Sequence, residues 1–317
     1  MKEAHFMIGT AIVGAVFLDI KGYPFGPYSP TGTNIGTVEF ADGGVARNVA
    51  ENFGALRMPC SFVSSVDYSS HAQSLRNRLR QAGVNTDFLV SADNAMGMWL
   101  AVFDDHGDLA GSVSHQPDFS ALEQLVAQHG TEIIGGCDSL ILEIDMNERL
   151  ADALLRLAEQ YDKKVYVIVG NMGVILRRPD FLTRVSCFIC NEIEAGRLFG
   201  RDLTVLKPDE LLCLLPGEME RAGIASMIVT MGPQGAVYFD ARTGESGHCP
   251  ARPCRLVDST GAGDAFLSGA VMGLTRGLPL KTAVRAGAKL AATVIQRKEN
   301  AAPPIEGFFD EFEPSAF

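Results

Sequence analysis

The sequence predicts an α/β fold, doubly wound around a mostly parallel sheet flanked by helices, with a small β lid. Short apolar runs alternate with amphipathic stretches, as strands buried on both faces do with their helical crossovers. Two segments, Ile35 to Phe40 and Met96 to Val113, have strand-like patterning but no helix of their own. Glycine-rich turns stand where strand-like runs hand over to helices.

The core strands, in order, are expected at Phe6 to Leu18, Cys60 to Val66, Ser139 to Leu142, Lys164 to Val169, Cys187 to Cys190 and Ser226 to Thr230. Between them, Ser69 to Ala82, Asn147 to Gln160 and Pro208 to Ala222 read as helices. Met96 to Val113 reads as a hairpin turned at Asp104-Asp105-His106-Gly107-Asp108. No repeat or linker interrupts the 317 residues, so one domain over 1–317 is expected, its discontinuous lid drawn from about 20–42 and 95–115. Unpaired lid edges invite a homodimer. The acidic, aromatic stretch Pro303 to Phe317 is expected to dock in part.

A net charge of −11 argues against nucleic acid or an anionic membrane as partner, since both need basic patches. The expected ligand is a small molecule. Seven cysteines at irregular spacing, with no apolar leader, fit reduced thiols in a cytoplasm. Cys187 and Cys190 fall on opposite faces of one strand and cannot easily share a metal.

Asp258-Ser259-Thr260-Gly261-Ala262-Gly263-Asp264 precedes a helical run from Ala265 to Arg276. Its glycines would aim backbone N–H groups of Gly261, Ala262 and Gly263 at an anion. Asp264 beside that cradle suits a general base that takes a hydroxyl proton while charge on a phosphoryl group is stabilised. Gly43-Gly44 leads a second helix, in which Asn48 either offers a donor and an acceptor to a sugar hydroxyl or serves the helix start. Arg47 faces substrate or phosphate, or covers the helix surface. Asp19 ends the first apolar run, and Glu143, with Asp145 two residues on, ends another. These acids either accept substrate hydroxyls or are solvated loop groups. Asn191 and Glu194 flank a strand-to-helix junction, and Thr230, Gly232 and Gly235 fall in a turn between strands. No Gly-x-x-x-x-Gly-Lys-Ser/Thr loop is present, so phosphates must be held elsewhere.

Together these motifs resemble the ribokinase-like (PfkB) carbohydrate kinase family along nearly the whole chain. The resemblance implies an ATP-dependent kinase with Asp264 as base, and Asp19, Gly43, Gly44, Asn48 and Glu143 on the sugar side. It implies ATP at Asn191, Thr230, Gly232, Gly235, Gly261 and Gly263, Mg²⁺ ordered through water by Glu194, and K⁺ near Asp258 and Thr260. The chain departs from K⁺-dependent members at Arg297-Lys298-Glu299-Asn300, where small residues are usual. Asp19-Ile20-Lys21-Gly22-Tyr23 and Gly36 to Phe40 are most similar to the pseudouridine kinases of this family. That likeness implies a ribosyl substrate phosphorylated on its primary, 5′-type hydroxyl, with Tyr23, Trp99 and His115 available to line a base. Ribokinase, fructokinase or another nucleoside kinase is the alternative within the family. Outside it, a catalytically inactive sensor is opposed by the intact Asp264. A dinucleotide oxidoreductase is opposed by Phe266, where its fingerprint needs a third glycine.

Overall fold

The computed structural model describes residues 9–312. Its strands are β1 (Thr10–Val13), β2 (Phe17–Pro24), β3 (Gly36–Gly43), β4 (Cys60–Val66), β5 (Leu89–Ser91), β6 (Gly97–Phe103), β7 (Leu109–His115), β8 (Ser139–Glu143), β9 (Lys164–Ile168), β10 (Cys187–Asn191), β11 (Ser226–Thr230), β12 (Ala236–Asp240) and β13 (Ser246–Cys249). Its helices are α1 (Val45–Ala55), α2 (Ser70–Gln81), α3 (Ser120–Gly135), α4 (Glu148–Gln160), α5 (Gly173–Arg177), α6 (Glu192–Phe199), α7 (Pro208–Ala222), α8 (Ala262–Thr275) and α9 (Leu280–Val294).

Nine strands form the main sheet in the order β13-β12-β11-β10-β9-β8-β1-β4-β5. All pair in parallel except the β11-β12-β13 edge, which is antiparallel. Parallel pairing requires crossovers, and these cover both faces. Alternation along β1 sends Ile12 into a core shared with α1, α2, α8 and α9, and Ala11 and Val13 into one shared with α3, α4 and α7. Cys187 and Cys190 fall into these two opposite cores, as their spacing requires. The chain leaves β1 toward β4 on one side, while β8 lies on the other. The carboxyl ends of β1 and β8 therefore mark the switch point, where ligand crevices open in such sheets.

The second sheet has the order β3-β2-β6-β7, with β2 and β6 parallel and the outer pairs antiparallel. Its hairpin turns at Asp104, whose side chain accepts the N–H groups of His106 and Asp108 (2.9 Å each). One expectation is corrected here. The apolar run expected from Phe6 to Leu18 is broken at residues 14–16 into β1 and β2, which belong to different sheets. Asp19 thus sits within the small sheet and does not end a core strand. Residues 6–8 of that run lie outside the described residues. Of the expected C-terminal stretch, Phe308, Phe309 and Phe312 are buried in the core, and 313–317 lie outside the described residues.

Candidate active site

The turn entering α8 is shaped by its neighbours. Gly261 has φ +78°, and a Cβ there would stand 2.3 Å from Asn300 O, so only glycine fits. The Ala262 N–H is used inside the turn, donating to Ser259 O at 3.1 Å. That narrows the anion cradle expected from Gly261, Ala262 and Gly263. The N–H groups of Gly261, Gly263 and Asp264 have no acceptor among the described residues, the last two at the positive end of α8. Around Gly263 a Cβ would meet nothing within 4 Å, so glycine there leaves the approach open.

Asp264 reaches a cavity of about 340 Å³ lined also by Asn191, Glu194, Thr230, Gly232 and Gly263. Its carboxyl group lies deep among protein atoms, and burial raises its pKa to about 6. The Asn48 amide and the Arg47 charge pull the other way without cancelling that rise. Asn48 Nδ2 donates to Asp264 Oδ2 at 2.6 Å. Asn48 Oδ1 is buried and accepts no hydrogen bond among the described residues. An orphaned acceptor beside a carboxylate is matched to a ligand that brings a donor, such as a hydroxyl.

Gly43 and Gly44 are held by the protein itself. Gly44 has φ +99°, and a Cβ there would stand 2.5 Å from Ala15 O, while one on Gly43 would stand 2.5 Å from Asp19 Oδ1. Asp19 is thereby placed against the start of α1, where burial raises its pKa. Arg47 neither faces the cavity nor covers the surface: it is buried, with Nε donating to Gly43 O (3.3 Å), Nη1 to Glu51 (2.8 Å) and Nη2 to Asp42 O. It fixes the backbone that carries Gly43.

Glu143 is also inside. Its Oε2 accepts the Ala15 N–H at 2.8 Å, and burial, reinforced by the charges of Asp264 and Asp145, pushes it up to about 7. It lines neither cavity described here, so it braces the β1–β2 turn. Asp145 is no solvated loop acid. It accepts the N–H groups of Gly170, Asn171, Met172 and Val174, each at 3.0 Å, and so builds the turn into α5.

Asn191 and Glu194 form a reciprocal capping box at the start of α6, at 2.8 and 2.9 Å. Glu194 lines the cavity, its Oε1 without a hydrogen bond among the described residues, and burial raises its pKa. A second cavity, about 440 Å³, is mainly apolar, with Leu256, Phe266, Ala291 and Ile295 in its walls. It shares Thr230, Gly232 and Gly263 with the first and includes Gly235. The pair offers an apolar slot and an N–H-rich anion end joined at Gly263. Gly235 is glycine for a packing reason, since a Cβ would stand 2.1 Å from Cys249 O.

No cluster of three or more His, Cys, Asp or Glu suited to a metal occurs among the described residues. One carboxylate of the cavity lining, that of Glu194, would be suited to order the waters of a hydrated Mg²⁺. Asp258 Oδ2 has no hydrogen bond among the described residues and would be the oxygen open to K⁺. Asp258 Oδ1 already accepts the Thr260 N–H (2.8 Å) and hydroxyl (2.7 Å).

The small sheet carries Asp19 in β2 and ends, through β3, at Gly43. Asp19 pairs with Trp99, and Trp99 with Ser114, so these share one face; Tyr23 lies on it too, stacked on Phe103 at 5.0 Å. His115 pairs with Met98, itself beside Leu18, and belongs to the opposite face. It cannot line a base above Asp19. Asn52, not marked by its sequence, is fully buried between α1 and α8. The available signal was an amide one helical turn beyond Asn48, between apolar Ala50 and Phe53.

The model of the pfkB family of carbohydrate kinases matches residues 7–306. The chain belongs to that family. It is a phosphotransferase with a hydroxyl acceptor. The chain is 35% identical over 295 residues to guanosine-inosine kinase of Exiguobacterium acetylicum, covering 93% of this chain and 96% of the relative. It is 26% identical over 288 residues to pseudouridine kinase of Escherichia coli (strain K12), covering 90% and 88%. Among solved structures, Arabidopsis thaliana ribokinase complexed with ribose and ATP has a TM-score of 0.84 at 19% identity, over 97% of this chain and 99% of that one. At that identity the likeness shows the ribokinase-like fold.

Proposed function

We propose that this kinase transfers the γ-phosphoryl group of ATP to the primary 5′-hydroxyl of a nucleoside. The observation that carries the reading is Asp264, half-buried and hydrogen-bonded to Asn48, at the N-terminal end of α8 beside the free N–H groups of the turn. In this reading the substrate hydroxyl lies between Asp264 and the orphaned Asn48 Oδ1. Asp264 takes its proton as the oxygen attacks phosphorus. The Gly263 and Asp264 N–H groups, aided by the dipole of α8, offset the charge growing on the phosphoryl oxygens. The apolar slot at Phe266 and Ile295 receives the adenine, and Thr230 and Gly232 the intervening phosphates. Glu194 orders the hydration shell of Mg²⁺. Asp258, through its second oxygen, and Thr260 are the residues offered to K⁺.

Guanosine or inosine is the first choice of substrate, on the higher identity to the guanosine-inosine kinase. Pseudouridine is the second reading, favoured by the motif around Asp19 and by the relative at 26% identity. Tyr23 and Trp99, on the Asp19 face, are the aromatic groups offered to a base. The whole of 1–317 is read as one domain. The unpaired cysteines suit a reducing cytoplasm. A homodimer would cover the outer face of the small sheet, where Val38, Phe40, Met98, Leu100 and Val113 are exposed. The deciding experiment measures kcat/KM for guanosine, inosine, pseudouridine, uridine, adenosine, ribose and fructose. A nucleoside in first place is the expected result; ribose or fructose in first place overturns the nucleoside reading and leaves the kinase.

A further inference from the structure

Asn52 is an expensive residue where it stands. Its side chain is fully inaccessible on α1, and burying an amide is costly unless each polar end finds a partner. Both ends do. Asn52 Nδ2 donates to Ser268 Oγ at 3.2 Å, and Asn52 Oδ1 accepts the Ala302 N–H at 2.8 Å. Ser268, also fully buried, donates its hydroxyl to Asp264 O at 2.6 Å. A continuous hydrogen-bonded path therefore runs from the 300–302 segment through α1 to the backbone of Asp264.

The path repeats a pattern. Asn48 meets Asp264, and Asn52, one turn on, meets Ser268, one turn on from Asp264. Two rungs advancing in the same sense mean that α1 and α8 run side by side in one direction, with both N-terminal ends toward the Asp264 carboxylate. The third strand of the tie, the 300–302 segment, also touches the turn, because Asn300 O is what excludes a Cβ from Gly261. Asn52 thus joins the helix of the sugar side, the helix of the base and the segment behind the anion cradle.

We infer that Asn52 is a positioning residue that holds Asp264 and the Gly263 N–H in register with Asn48, acting through Ser268 and the 300–302 segment. The inference rests on the role proposed above for Asp264. A shift of about 1 Å at reacting groups costs up to about 100-fold in rate. Asn52→Leu keeps the branching of the side chain, in a somewhat larger form, and removes both hydrogen bonds. Its kcat is expected to fall about 10- to 100-fold, with KM for nucleoside and ATP changed less than about threefold. Ser268→Ala is expected to lose less, and the double variant about as much as Asn52→Leu alone, since residues acting in series do not add. Losses that multiply in the double variant, or near-normal kcat in folded Asn52→Leu, overturn the inference.

Two controls keep it testable. If Asn52→Leu does not fold, Asn52→Ser, which is smaller but still polar, carries the same comparison, and a folded Asn52→Ser with unchanged kcat counts against the role. Amide hydrogen exchange over residues 259–268 needs no substrate. Exchange there should quicken in the Asn52 variant and not in wild-type protein, and unchanged exchange contradicts the tie even if no nucleoside is phosphorylated. Failure of the wild-type chain on every nucleoside, with quickened exchange in the variant, would fault the proposed function and leave the tie standing.

Discussion

Asn48 Nδ2 lies 2.6 Å from Asp264 Oδ2 although 216 residues separate them in the chain. That contact joins the Gly43-Gly44 turn ahead of α1 to the Gly261–Gly263 turn ahead of α8. It also sets the chemistry of the carboxylate, because the amide favours the charged form while burial opposes it.

The acid limb of log kcat/KM follows from this balance. A base must be unprotonated, so activity should fall as pH drops through about 6. Asn48→Ala removes a group that lowers the Asp264 pKa, so its acid limb should move to higher pH, with a raised KM for the nucleoside. A limb that stays in place in the variant argues against the Asn48–Asp264 contact as the tuning interaction.

Glu143 makes a stability prediction of definite sign. Its folded pKa of about 7 exceeds the ordinary value of 4.5, so the protonated form favours folding. The contribution is fully present below pH 4.5 and is lost as pH rises through 7. Glu143→Gln keeps an acceptor for the Ala15 N–H without the charge. It should therefore stabilise the protein at pH 8 by on the order of 3 kcal/mol, with the advantage vanishing in acid. Thermal melts across this pH range provide the check, and a Tm that falls at pH 8 contradicts it.

Glu194→Gln separates metal ordering from proton transfer. The capping bond to the Asn191 N–H survives in the amide, so α6 should stay intact. The Mg²⁺ concentration for half-maximal rate should rise about tenfold, with kcat at saturating Mg²⁺ near normal. Titrations of Mg²⁺ at fixed ATP would show otherwise if kcat alone dropped.

Phe40 is 64% exposed on the face of the small sheet that points away from Asp19. In the proposed homodimer Phe40→Lys should shift sedimentation from dimer to monomer. A wild-type chain that sediments as a monomer at high concentration removes that part of the account.

Local pattern reached some of this and not the rest, for physical reasons. Cys60 to Val66, Ser226 to Thr230 and Pro208 to Ala222 match β4, β11 and α7 residue for residue, because apolar runs and a proline-led helix start are local signals. The Asp264 turn was readable because free N–H groups before a helix are likewise a local property. The division of β1 from β2 was not, since both halves are apolar and the break lies where Gly14 packs against distant residues, a Cβ there standing 2.5 Å from Glu143 Oε2. The inward turn of Glu143, the burial of Arg47 and the pairing of Asn52 with Ser268 depend on partners far away in sequence. Spacing along one element carries no record of them.

The base itself is tested most directly by Asp264→Asn, assayed by single-turnover phosphoryl transfer with ATP binding measured alongside. Asparagine keeps the shape and can still face Asn48, but it cannot take a proton. The rate should fall about 10²- to 10⁴-fold while the ATP dissociation constant stays within about twofold of wild type. A variant that transfers phosphoryl at close to the wild-type rate would contradict Asp264 as the general base.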